Sequence, residues 1–338
     1  MADLIRGLQL RQVILVALLV LLVAAVTAFQ PTFLSLANVA NIAVQFSQIG
    51  LMAAGMTFVM IAGGIDLSVG SVLALGAGVC GVLMTVGVPL PFAIVGALLS
   101  GVVIGWINGT GIAYLKIPAL IITLGTLYAV RGAVELYSNG SGSTIAQDFP
   151  AAFRFLGQGS VFGLPMPTIV TLLVYVVLHL VLTKTRFGRY TIAIGTDAEA
   201  ARRSGILVER HLTKIYILSG VMAVIAGLLI TAQVNAASID LGRGAELTVI
   251  AAVVVGGTSL YGGQGSIPGT FLGVTFLTIM ADALDILNVS PFAIDLATGS
   301  LLLLSAAADV LANRRGLIAL RNRLLGARET EIAVHKLT

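Results

Sequence analysis

Charge is what this sequence has least of. Only 10% of its 338 residues are Asp, Glu, Lys or Arg, against roughly 25% in ordinary soluble usage. With 58% hydrophobic residues and a mean hydropathy of +1.04, a soluble domain could not cover its own surface, so the solvent must be lipid. Cysteine is nearly missing too. Cys80 stands alone, which excludes a disulfide framework and a thiolate metal cluster. No G-x-x-x-x-G-K-[ST] occurs, hence no phosphate-cradling loop of the usual kind, and no Ser/His/Asp or metal-ligand spacing is present. Catalytic residues, bound cofactors and metal ligands are therefore not expected on this chain. The net charge of +4 is no nucleic-acid signal, because the basic residues cluster beside apolar segments.

What is present is length and apolarity in the right measure. A helix needs about 20 apolar residues to cross the hydrocarbon. Ten segments qualify, over 12–29, 42–62, 67–86, 89–109, 117–136, 166–183, 214–233, 246–260, 267–287 and 292–312. The eighth is short and the third is rich in Gly. The 39 glycines suit close helix packing in a bilayer. The first segment follows Arg6 and Arg11 without a convincing small-residue cleavage site, and reads as a retained span. The expected class is an all-α integral membrane protein with one transmembrane domain over 12–312.

Orientation follows from the basic residues. Fifteen of the nineteen Lys and Arg lie before the first span, in 184–214, or after the last span. All three stretches should be cytoplasmic. That gives a cytoplasmic N-terminus (1–11), a cytoplasmic loop (184–213) and a basic cytoplasmic tail (313–338). Six crossings and then four satisfy this arrangement. Residues 137–165, rich in Ser, Gly and Asn, become the longest extracytoplasmic connection.

The most informative stretch is Gly63-Gly64-Ile65-Asp66-Leu67-Ser68-Val69-Gly70-Ser71. It breaks two apolar runs with turn-forming residues and one carboxylate. An ionised carboxylate in hydrocarbon costs about 2.5–3.5 kcal/mol on insertion scales, so Asp66 faces water, a partner or the protein interior. It can cap the following helix by accepting its first free N–H groups; or the broken backbone can line a path and move with it. The pattern recurs as Ile239-Asp240-Leu241-Gly242-Arg243-Gly244-Ala245-Glu246-Leu247, and Pro118 is echoed by Pro291. Five crossings separate the copies, so spans two to five and seven to ten read as an inverted repeat, with the cargo path at the repeat interface. Asp240 should then lie on the opposite membrane side from Asp66.

Other groups have plainer readings. Gly101, Gly105 and Gly109 give one helix a small face for packing. Arg131 and Glu135, four apart, read as an ion pair. Asp282, Asp285 and Asp295 sit near span ends, as solvated or docking acids, and His179 reads as a packed, hydrogen-bonded residue. In the loop, Thr196 or Asp197 can N-cap a short helix centred on 198–204 that Gly205 ends, with acids in its first turn and arginines in its last. It is a solvated linker or a docking surface.

Several ordered motifs carry a resemblance. They are Gly55-Met56-Thr57, the stretch from Gly63 to Ser71, Lys116-Ile117-Pro118-Ala119, Thr185-Arg186-Phe187-Gly188-Arg189-Tyr190, and Gly256-Gly257-Thr258-Ser259-Leu260 with Gly262-Gly263. Over about residues 12–316 the chain resembles the permease subunits of bacterial ATP-binding cassette importers for monosaccharides, ribose-type. The resemblance implies the ten-span fold typified by the vitamin B12 system. It also implies a second permease copy, two nucleotide-binding domains that hold ATP and Mg, and a periplasmic sugar-binding protein, in the bacterial inner membrane. Glu199-Ala200-Ala201 with Gly205 looks like the E-A-A-x-x-x-G coupling motif, so that Asp197, Glu199, Ala200, Ala201, Arg202 and Gly205 would meet the ATPase. The Leu-Pro that often follows is absent. Gly63, Gly64, Asp66, Ser68, Gly70, Asp240, Gly256, Gly257 and Thr258 are the residues expected at the path or its helix breaks. The alternatives are an ion-coupled secondary transporter, or the same scaffold carrying an autoinducer or branched-chain amino acids.

Overall fold

A computed structural model describes residues 2–137 and 144–312, with side chains from residue 12 onward. The tail expected over 313–338 lies outside the described residues. In chain order the elements are α1 (Ala2–Phe29), a 3-10 turn (Pro31–Leu34), α2 (Leu36–Ile61), α3 (Val69–Thr85), α4 (Leu90–Ala113) and α5 (Ala119–Tyr137). Then come β1 (Thr144–Gln147), α6 (Ala151–Gln158), β2 (Ser160–Val161), β3 (Leu164–Pro165), α7 (Met166–Lys184), α8 (Arg186–Thr196) and α9 (Ala198–Arg203). The chain continues with α10 (Val208–Val234), β4 (Ala236–Ser238), α11 (Ala245–Val255), α12 (Ile267–Ile286) and α13 (Pro291–Ala312).

The ten apolar segments all become helices. Eight are long and apolar enough to span a bilayer. The remaining two are α3, of 17 residues, and α11, of 11 residues. At 1.5 Å per residue these reach only about 26 and 16 Å. Each begins within one copy of the repeated motif, whose turn residues leave irregular backbone where the apolar run would otherwise continue as helix. Such backbone is tolerated at membrane depth only where protein buries it.

The core is built around α2 and α10, most of whose length is buried, while few residues of α1 and α13 are buried. α10 lies along α4 so closely that backbone meets backbone. A methyl group on Gly101 would sit 2.6 Å from the Gly220 carbonyl oxygen, and one on Gly109 would sit 2.6 Å from the Thr213 Cα. Gly105 between them faces the Tyr216 carbonyl. The G-x-x-x-G-x-x-x-G face is thus an internal seam.

The long connection over 137–165 carries structure in its described part, 144–165. β1 pairs antiparallel with β4, and β2 with β3. α6 seats Phe153 and Gly157 inward, Phe153 meeting Phe149 edge-on at 5.4 Å, with Gly157 against the backbone of Gln233 at the end of α10. Alternate burial of aromatics across a short Ser- and Gly-rich stretch is too weak a pattern to read as a helix in advance. α8 was not anticipated either. Thr185 caps it by accepting the Gly188 N–H at 3.4 Å.

The α4–α10 seam makes a direct prediction. Gly105→Leu should destabilise the protein by about 1–3 kcal/mol or more through forced overpacking, read as a lower unfolding temperature in detergent. Gly125→Leu, on a face with nothing within 4 Å, should leave it unchanged.

Candidate functional site

Asp66 sits where α2 has ended and α3 has not begun, and it is 2% exposed. Its carboxylate is filled by neighbours. Oδ1 accepts the Ser68 N–H at 3.0 Å and the Ser68 hydroxyl at 2.6 Å; Oδ2 accepts the Ser219 hydroxyl at 2.8 Å. The network extends outward. Asn108 of α4 donates to the Ser68 hydroxyl at 2.9 Å, and Thr126 of α5 donates to Asn108 at 2.6 Å. Tyr216 of α10 donates to the Ile65 carbonyl at 3.3 Å. A buried carboxyl without such partners would be unaffordable. With them, one side chain ties the break to α4, α5 and α10.

The capping expectation is refined by this geometry. Ser68, not Asp66, is the residue at the N-cap of α3, and its side chain makes no cap bond. Asp66 instead closes the turn leading into the helix. Ser219 is eleven residues into α10, about 16 Å along it. The 62–68 segment therefore folds back beside α10 rather than lying at its end.

The second copy folds back as well. From β4 it returns to α5, where Arg131 donates to the Ile239 and Leu241 carbonyls at 2.6 and 2.9 Å. Among the described residues Arg131 forms no salt bridge to Glu135; Glu135 takes Arg243 at 2.6 Å, and Arg243 also holds Asp240 at 2.9 Å. Re-entrant carbonyls need donors more than a carboxylate at a helix end does. Asp66 lies beside Ser219 within α10, whereas Asp240 lies beyond the C-terminal end of that helix; between them the two motif copies meet. Gly70 packs on the Gly242 carbonyl, and a methyl group on Gly70 would lie 2.6 Å from Glu246 Oε2. Both copies re-enter, so their glycines converge inside the bundle.

The remaining expected residues gather in a third place. Gly256 ends α11 and packs against Gly269 and Thr270 of α12; Gly257 (φ +92°) and the buried Thr258 lead into the next loop. That loop brings Gly262 and Gly263 onto the α2 end. The Gly263 N–H donates to the Ile61 carbonyl at 2.8 Å, and Gly262 (φ +82°) lies against Gly63. Gly195 of α8 presses on Ile61 and Gly263. Asp309 of α13 accepts the Ser259 hydroxyl at 3.0 Å and the Leu260 N–H at 3.3 Å. Hence Asp66, Ser68, Gly70, Gly256, Gly257 and Thr258 are all buried, Gly64 is half-buried, and Gly63 and Asp240 are exposed.

The short helix after α8 is α9. Asp197 caps it, with Oδ1 accepting the Glu199 and Ala200 N–H groups at 3.0 Å. Gly205 (φ +83°) follows its C-terminal end. Glu199 pairs with Arg202 and Arg203, at 2.8 and 3.3 Å. Glu209, not singled out in the sequence, joins Arg202 at 2.7 Å to Lys116 in the α4–α5 turn at 3.4 Å. The hydrogen bond that Arg202 donates to Glu209, then the one it donates to Glu199, raises its pKa above the ordinary value. Only Ala201 of α9 is buried; its other residues are exposed.

Asp282 and His179 also differ from expectation. Asp282 is buried and accepts from Asn38 at 2.8 Å, tying α12 to the start of α2. His179 leaves its buried Nδ1 without a partner among the described residues. The residues missed by sequence reading, Asn108, Thr126 and Ser219, share one signal: a polar side chain inside an apolar helix.

Two expectations follow. Asp66→Ala strands three donors, so it should cost about 3 kcal/mol or more, read as thermal unfolding in detergent; an unchanged unfolding temperature would contradict the network. Asp197→Ala should cost about 1 kcal/mol and leave the transmembrane helices intact, checked by local amide exchange at α9.

Comparison with known proteins agrees with this architecture. The family described as branched-chain amino acid transport system / permease component matches residues 38–306. The ribose import permease protein RbsC of Haemophilus influenzae is 37% identical over 292 residues, covering 86% of this chain and 90% of the relative. RbsC of Bacillus subtilis is 39% identical, covering 81% and 85%. The autoinducer 2 import system permease protein LsrD of Escherichia coli O9:H4 is 38% identical, covering 86% and 88%.

Proposed function

The chain belongs to the family of branched-chain amino acid transport permease components, and from that premise we propose that it is the membrane permease subunit of an ATP-driven monosaccharide importer. The observation that carries the cargo class is the identity of 37–39% to ribose import permeases across more than four-fifths of the chain. The chain has no phosphate-binding loop of its own, so a separate ATPase supplies the energy. The full assembly is two permease copies, two nucleotide-binding domains holding ATP and Mg, and a periplasmic binding protein that delivers the sugar. The α9 end, rich in Arg and Lys, faces the cytoplasm of a bacterial inner membrane.

The geometry supports a route for force. Asp197, Glu199, Ala200, Ala201, Arg202 and Gly205 present α9 to the ATPase. α8 follows α9 as one piece, because Asp197 is both the end of the first helix and the cap of the second. Gly195 transmits the displacement to the Ile61–Gly263 junction, and so to the turn that Asp66 holds. No side chain cushions this contact, so a shift in α8 is a shift in the α2 end. Asp66 serves as a bonded joint and makes no contact with sugar.

Liposomes decide it. With the ATPase and binding protein present, ribose uptake should require ATP; gradient-driven uptake by the chain alone would overturn the reading. Autoinducer 2 in a parallel arm tests the second cargo named among the relatives. Gly195→Val should reduce uptake at least tenfold while ATP hydrolysis persists, whereas unaltered uptake would remove the junction from the route.

A further inference from the structure

We infer that the hairpin formed by β2 and β3 is a lipid anchor, with Phe162 seated at the headgroup level of the leaflet at the α6 end. Ser160 pairs with Pro165 and Val161 with Leu164, leaving a two-residue turn. Both turn residues have positive φ, +52° at Phe162 and +81° at Gly163. Turns of this kind favour Asn, Asp or Gly at the first position; a bulky aromatic there is an outlier. Nothing among the described residues rewards it, since Phe162 is fully exposed. Strain held without an internal contact points to an external one.

The surroundings say what that contact is. Phe155, Val161 and Leu164 are exposed beside it. No Asp, Glu, Lys or Arg occurs anywhere in 155–183. A soluble partner would meet a polar rim; the hairpin itself carries no charge, and the exposed Arg154 that precedes Phe155 lies on α6 rather than on the hairpin. β3 runs straight into α7, whose exposed Leu172, Leu173, Val176 and Val177 face lipid. The hairpin continues that lipid-facing surface beyond the helix. Aromatic rings are at home at this depth.

The single Trp106 makes the test clean. In a Trp106→Phe background, Phe162→Trp is reconstituted in vesicles of brominated phosphatidylcholine, bromines placed either high on the acyl chain or near its end. Emission should be blue-shifted and quenched at least twofold more by the high bromines than by the deep ones. Aqueous acrylamide should quench it weakly. Strong acrylamide quenching without bromine quenching would put the tip in water. Protection from both would put it against a protein partner, such as a second copy or the binding protein. Either result overturns the anchor. Should Phe162→Trp not accumulate, Leu164→Trp reads the same surface.

Discussion

A carboxylate buried at a break between two helices must be fully bonded, and much of this structure meets that demand. Asp66 receives donors from its own turn and from α10, and Asn108 and Thr126 extend the network to α4 and α5. Remove it, and four segments lose their common point. The low dielectric that makes an unpaired carboxyl so costly also strengthens each bond in a satisfied network. That is why a single acid can hold an irregular turn inside an apolar bundle.

Glycine provides the second constraint. Gly195, Gly262 and Gly263 let three backbones touch at the end of α2, and Gly70 and Gly242 let the two motif copies touch inside the bundle. At Gly195, Gly242 and Gly262 the contact is backbone on backbone. Movement at one member is passed on rather than absorbed. The repeated motif thus marks two re-entrant turns, each held differently: the first by a buried acid, the second by Arg131 donating to backbone carbonyls.

The spans were legible because lipid demands long apolar runs, and the Gly-rich third and the short eighth are the two whose helices are short. α9 was legible from Asp197 and Gly205, whose cap and positive φ are local properties. What was not legible depends on distant chain. Nothing near Arg131 announces the Ile239 and Leu241 carbonyls, so its neighbour Glu135 looked like the partner. The meeting of Gly70 and Gly242 is likewise tertiary, and nothing local to either motif copy announces it. Asn108 and Ser219 could have been suspected as polar residues in apolar helices, but not assigned to Asp66.

The central claim is that α8, α9 and the end of α2 move as one unit when nucleotide drives the assembly. Spin labels at Ala62→Cys and Arg203→Cys, in a Cys80→Ala background, measure this by pulsed electron–electron resonance in the assembled transporter. The account predicts the same Ala62–Arg203 distance distribution in nucleotide-free and ATP-trapped states. A shift of its peak between those states would show α9 sliding past the joint, and would contradict the account.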